Sequence, residues 1–199
     1  MDKIIDSEIK NSVTIKLHIG CGKNHLDGWI NCDIRDDADV YWDLLSDNLP
    51  FKADSIDYIF SEHVLEHFRL HDAINILKKL HQILKPDGKI RIVVPSLESL
   101  ITGYLNDPEF LDTNNKLFPE KKLAFNAQLI NQTFYNFGHK NMYDKQLLIF
   151  AMRSAGFNQN KLSFLEDGVV KSDMFKNIGR RIYKETSSVH NLNVEATKL

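Results

Sequence analysis

The run His18-Ile19-Gly20-Cys21-Gly22, followed thirteen residues after Gly20 by Asp33, has the makings of a nucleoside site. Glycines at a first strand-to-loop turn let backbone N–H groups approach a ligand, and an acid ending the next strand accepts hydrogen bonds from ribose hydroxyls. The run stops short of a dinucleotide fingerprint. Gly-x-Gly-x-x-Gly would need glycine at His25, and the interval from Gly20 to Asp33 is shorter than the ~20 residues usual there. A pyrophosphate ligand, and with it a nicotinamide oxidoreductase, is therefore disfavoured.

A second group, Glu62-His63-Val64-Leu65-Glu66-His67, contains His-x-x-Glu-His, which is also the signature of one class of zinc peptidases. On a helix, His63 and His67 would share one face and bind zinc, with Glu66 as general base. The context argues otherwise. The group directly follows an apolar strand and runs into Phe68-Arg69-Leu70 instead of lying inside a long helix. Carboxylates elsewhere show no diagnostic ligand spacing, so no metal ligand is assigned, and the sequence leaves open a divalent ion that positions acceptor hydroxyls. Lys176, Arg180, Arg181 and Lys184 recur at helical spacing and read as a solvated face rather than a nucleic-acid stripe. Phe134, Tyr135 and Phe137 form an aromatic knot before Gly138, read first as buried packing and second as a pocket wall.

These groups need elements to position them, and the pattern supplies an alternation of short apolar runs with helical ones, the mark of parallel strands with crossovers. Strands are expected at 15–19, 29–34, 38–42, 56–60 and 90–94, then at 161–165 and 191–196. Ile74, Leu77, Leu80, His81 and Leu84 keep helical spacing, so an amphipathic helix is expected over 70–84, stopped by a turn at Lys85-Pro86-Asp87-Gly88. Asp144 can cap a helix through Leu147, Leu148, Phe150 and Met152, with Gly156 as its stop. The stretch 96–138, with Pro108 and Pro119, is too long for a plain connection; with a helix over 120–130 it reads as a substrate cover inserted in a single domain spanning 1–199. The expected architecture is α/β: a doubly wound, seven-stranded, mostly parallel sheet with helices on both faces and the last strand antiparallel.

Taken in order, several motifs carry a resemblance. They are Leu17 to Gly22, Asp43-Leu44 leading to Leu49-Pro50-Phe51, Ser55 to His67, and Leu84-Lys85-Pro86-Asp87-Gly88-Lys89. Together they resemble the class I S-adenosylmethionine (SAM) dependent methyltransferases, in their small-molecule branch. Gly28-Trp29-Ile30-Asn31-Cys32-Asp33, His139-Lys140-Asn141-Met142-Tyr143 and Ala155-Gly156-Phe157 resemble a subset linked with surface-sugar modification. The resemblance implies SAM as cofactor. By it Gly20, Cys21 and Gly22 would contact the methionine moiety, Asp33 the ribose, and Asp43 with Leu44 the adenine, while Glu62 would sit beside the ligand at the end of the fourth strand. It implies methyl transfer to a hydroxyl of a sugar, glycan or similar small molecule, for which a histidine can take the proton. The candidates are His139, His67 and His63, in that order, since His139 follows the presumed cover. A SAM-binding or partner-binding module without catalysis is the alternative of a different class; it would keep Gly20, Gly22 and Asp33 without needing His139.

Composition bounds the rest. With 43% hydrophobic and 26% charged residues the chain is ordinary globular protein, and a net charge of -2 provides no global attraction to nucleic acid or an anionic membrane. Cys21 and Cys32 make no CxxC pair, so a reducing, cytosolic setting is expected. The stretch from Met1 to Ser12 interleaves acids and lysines with its isoleucines, so no leader peptide is expected, and no run approaches the ~18 apolar residues of a membrane span.

Overall fold

Ile15, Leu17 and Ile19 alternate with Lys16 and His18, and this period of two forms the central strand β1, Lys16–Ile19. The computed structural model describes residues 14–117, 119–166, 169–178 and 191–199. The expectations for Met1 to Ser12 and for Arg180, Arg181 and Lys184 lie outside these residues. Around β1 stand β2 (Ile30–Asp33), β3 (Val40–Tyr41), β4 (Ile56–Glu62), β5 (Leu84–Pro95), β6 (Leu162–Leu165) and β7 (Asn191–Thr197). Their spatial order is β3-β2-β1-β4-β5-β7-β6. The pairs β1 to β5 are parallel, and β7 runs antiparallel to both β5 and β6. The chain order reverses beside β1, so the carboxyl ends of β1 and β4 flank the crevice where a doubly wound sheet binds ligands.

Between β4 and β5 lies helix α1, Leu70–Ile83. Its buried stripe is Ala73, Ile76, Leu77, Leu80 and Ile83. Ile74 and His81, expected on that stripe, are only partly buried and lie at its edges. The turn expected at 85–88 is a bulge within a longer strand: Leu84 pairs with Ile56, Lys89 pairs with Tyr58, and Asp87 takes up the extra length with φ +61°.

Helix α5, Lys145–Ser154, packs with α1 on the same face of the sheet. Asp144 Oδ1 caps it by accepting from the Leu147 amide at 2.7 Å. Gly156, at φ +107°, ends the turn while Phe157 N donates to Met152 O. This face holds the main core, with Leu17, Ile59, Ile92 and Val194 from the strands.

The opposite face is partly polar. Arg91 Nη1 donates to Glu195 Oε1 at 2.7 Å and to Val169 O, and Glu195 accepts from the amides of Lys171 and Ser172. This network ties the segment 169–175 across the sheet, where Phe175 packs on Trp29 and Tyr58.

The long segment after β5 folds into α2 (Leu97–Asn106), α3 (Phe110–Leu117) and α4 (Asn126–Asn131), the last continued by a π-helical turn over Gln132–Asn136. The helix expected over 120–130 is thus shorter at its start, where Pro119–Lys121 makes a separate 3-10 turn. Leu100, Phe110, Leu129 and Met142 give these helices their own small core. The segment leaves and returns at the carboxyl end of the sheet, where Leu97 N donates to Tyr143 O. Among the described residues no helix is long and apolar enough to cross a membrane.

Candidate active site

The loop after β1 is shaped by two glycines in the left-handed region, Gly20 at φ +67° and Gly22 at φ +54°. The amides of Gly20 and Cys21 both donate to Cys32 O, at 2.8 and 3.2 Å, which fastens the loop to the end of β2. Gly22 N donates to Asp33 Oδ2 at 2.8 Å. A Cβ at Gly20 would stand 2.2 Å from Val64 Cγ2, so glycine is required there by space as well as by backbone angle.

A cavity of about 430 Å³ opens between this loop, the residues after β2 and β3, and the turn after β4. Such a volume lies within the ~300–1,000 Å³ of small-molecule sites. Of the residues singled out from the sequence, Gly20, Gly22, Asp33, Asp43, Leu44, His63 and His67 line it. Cys21, Glu62 and His139 do not. Cys21 turns into the core, Glu62 is buried at the end of β4, and His139 lies behind His67 with ring centroids 5.0 Å apart. Asp43 Oδ1 accepts from Leu45 N at 2.9 Å, an Asx turn that points the segment 43–45 along the cavity. Trp42, Val64 and Phe68 add apolar wall and had not been singled out; nothing in their spacing separates them from ordinary core residues.

Residues 63–67 do not form the helix a zinc peptidase needs. His63 follows β4 at φ +54°, and Leu65–His67 is a single 3-10 turn. Glu66 is buried at its centre, with Oε1 3.1 Å from His63 Nδ1 and 4.0 Å from His139 Nε2. The segment carrying His139 is pinned there, because Lys140 N and Asn141 N both donate to Glu66 O, at 2.7 and 3.1 Å. Three imidazoles thus gather about one buried carboxylate. Burial lowers the His139 pKa below the ordinary histidine value, the Glu66 charge opposes this, and His67 adds to the lowering. Burial also pushes the Cys32 thiol well up, so it is an inert core thiol. The aromatic knot divides: Phe134 packs in the small core of the helical segment, while Tyr135 and Phe137 are exposed, Phe137 with its ring 5.7 Å from His139.

The sequence matches the methyltransferase-domain family over residues 17–161. The chain belongs to that family. Its fold agrees with solved structures of SAM-dependent methyltransferases. One from Methanosarcina mazei is 16% identical with a TM-score of 0.55, over 98% of this chain and 97% of that one. One from Archaeoglobus fulgidus is 17% identical with a TM-score of 0.52, over 99% and 94%. A possible exported protein from Bordetella parapertussis is 12% identical with a TM-score of 0.53; the match takes in 99% of this chain but 66% of that one's length. No curated protein matches the sequence. The methyltransferase uses SAM as its cofactor, and the cavity suits it: left-handed glycines bring the loop backbone to its edge, Asp33 supplies a carboxylate, and Leu44, Val64 and Phe68 give an apolar wall.

Proposed function

We propose that this methyltransferase transfers the methyl group of SAM to a hydroxyl of a small molecule, a sugar or glycan foremost. Bound SAM supplies an electrophilic methyl group on a sulfonium. The loop at Gly20 and Gly22 receives its amino-acid end, Asp33 takes the ribose hydroxyls, and Asp43 with Leu44 holds the adenine. The observation that carries the oxygen-acceptor reading is His63, which lines the cavity with the Glu66 carboxylate 3.1 Å behind it. A carboxylate that orients an imidazole and steadies its charged form is the usual support for a proton acceptor. His63 is therefore preferred as base over His67 and over His139, which stands back from the cavity.

The helices of 96–138 act as the cover, excluding water from the aligned oxygen, methyl and sulfur. The sugar preference rests on the subset motifs and on the exposed rings of Tyr135 and of Phe137, the latter beside His139, whose faces suit the C–H faces of a pyranose. Incubation with methyl-labelled SAM and a panel of sugars, nucleotide sugars and glycans tests the reading. Label on a glycan oxygen is expected; label found only on protein or nucleic acid overturns the sugar assignment. His63→Asn should lower kcat by about 10²- to 10⁴-fold with S-adenosylhomocysteine affinity unchanged.

A further inference from the structure

Glu66, His67 and His139 stand closer together than the proton-transfer role requires. One ligand atom from each lies within 4.8 Å of those of the other two. The Glu66 side chain is completely buried and the His139 side chain is 8% exposed. Glu66 Oε1 faces His63, whereas Glu66 Oε2 is a buried atom with no hydrogen-bond partner among the described residues. A buried carboxylate oxygen left without a donor is costly. The amides of Lys140 and Asn141 on Glu66 O hold the two chain segments in this arrangement, and His67 opens it to the cavity wall.

We propose that Glu66, His67 and His139 form a binding site for a divalent first-row transition-metal ion, whose open coordination positions take the acceptor hydroxyl. Two imidazoles and one carboxylate favour Mn(II), Co(II) or Zn(II) over magnesium and calcium, which prefer all-oxygen shells. Three protein ligands leave positions for exogenous oxygen. The sequence assigned no metal ligand, and the site departs from the zinc peptidase pattern, because His63 is outside the ligand set and His139 is inside it. The proposal rests on the methyltransferase reading for its purpose. The ion acidifies the bound hydroxyl. The oxygen forms a bond to the methyl carbon, the carbon–sulfur bond breaks with its electron pair passing to sulfur, and the hydroxyl proton goes to His63. His67 and His139 spend their lone pairs on the ion, which is why the proton falls to His63.

The test is metal titration of chelator-stripped protein by calorimetry with Co(II), Mn(II) and Zn(II), alongside S-adenosylhomocysteine titration of the same samples. One ion per chain is expected, with affinity falling at least tenfold in Glu66→Gln and His139→Asn while S-adenosylhomocysteine still binds. X-ray absorption of the Co(II)-loaded wild type gives a readout that needs no variant: two imidazole nitrogens in the shell support the site. Absence of binding at submillimolar Co(II), an all-oxygen shell, or unchanged affinity in both folded variants overturns it. Loss of S-adenosylhomocysteine binding by the wild type would sink the methyltransferase reading instead, leaving the metal result to stand on its own.

Discussion

The carboxylate of Asp33 accepts the amide of Gly22 at 2.8 Å, so the residue assigned to the ribose also fixes the loop assigned to the amino acid. One oxygen thereby shapes the loop while the other side of the group faces the cavity. Asp33→Ala removes both functions, and S-adenosylhomocysteine affinity should fall by roughly five- to 150-fold, about 1–3 kcal/mol, by calorimetry. Asp33→Asn, which keeps an acceptor for Gly22, should lose less.

Gly20→Ala forces a methyl against Val64 Cγ2 in a backbone conformation that alanine resists. A destabilisation of about 2 kcal/mol is expected, seen as a lowered melting temperature and weakened S-adenosylhomocysteine binding. Adding Val64→Ala should recover part of the stability. If the double variant is no better than the single, the clash is not the cause.

Breaking the ion pair of the polar sheet face should be severe. Arg91→Met leaves Glu195 buried with its charge uncompensated, since the two side chains are 3% and 5% exposed. A loss of about 3–5 kcal/mol in urea unfolding is expected, and Arg91→Met combined with Glu195→Leu should be milder than the single change.

His81 sets an acid limit on stability. Burial against Phe157, helped by the Lys198 charge and opposed by Asp54, lowers its pKa below the ordinary histidine value. A group depressed in the fold binds its proton more readily when unfolded. Its contribution is therefore intact above about pH 6.5 and is lost as pH falls below that through the folded value. Melting temperature measured from pH 7.5 to 5 should decline less steeply in His81→Gln than in the wild type.

Much of the sheet was readable because its signals are local. The β1 alternation, the Asp144 cap and the Gly156 stop each involve neighbours a few residues apart, and each appears where the sequence puts it. Asp33, Asp43 and the glycines were legible as a cavity for the same reason, since a strand end fixes where its next residue points. The helices of 96–138 were harder. They are short, punctuated by Pro108 and Pro119, and bury only a few residues in a core of their own, so their periodicity is weak. The gathering of His139 onto Glu66 was not legible at all: it depends on two backbone amides reaching a carbonyl far away in the chain. The partners of His18 are likewise a tertiary matter, since Asn31 and Phe60 come from the neighbouring strands β2 and β4.

The placement of β7 has a temporal consequence. Asn191–Thr197 is threaded between β5 and β6, pairing with both, although it follows both in the chain. Until it emerges from the ribosome, β6 lacks its one partner strand among the described residues, and the inner edge of β5 presents unpaired amides and carbonyls to whatever it meets. A nascent chain ending before Asn191 is therefore an adhesive intermediate. Completion of the sheet, and of the Glu195 latch carried on β7, waits for this strand, which chaperone engagement of chains cut before Asn191 would register.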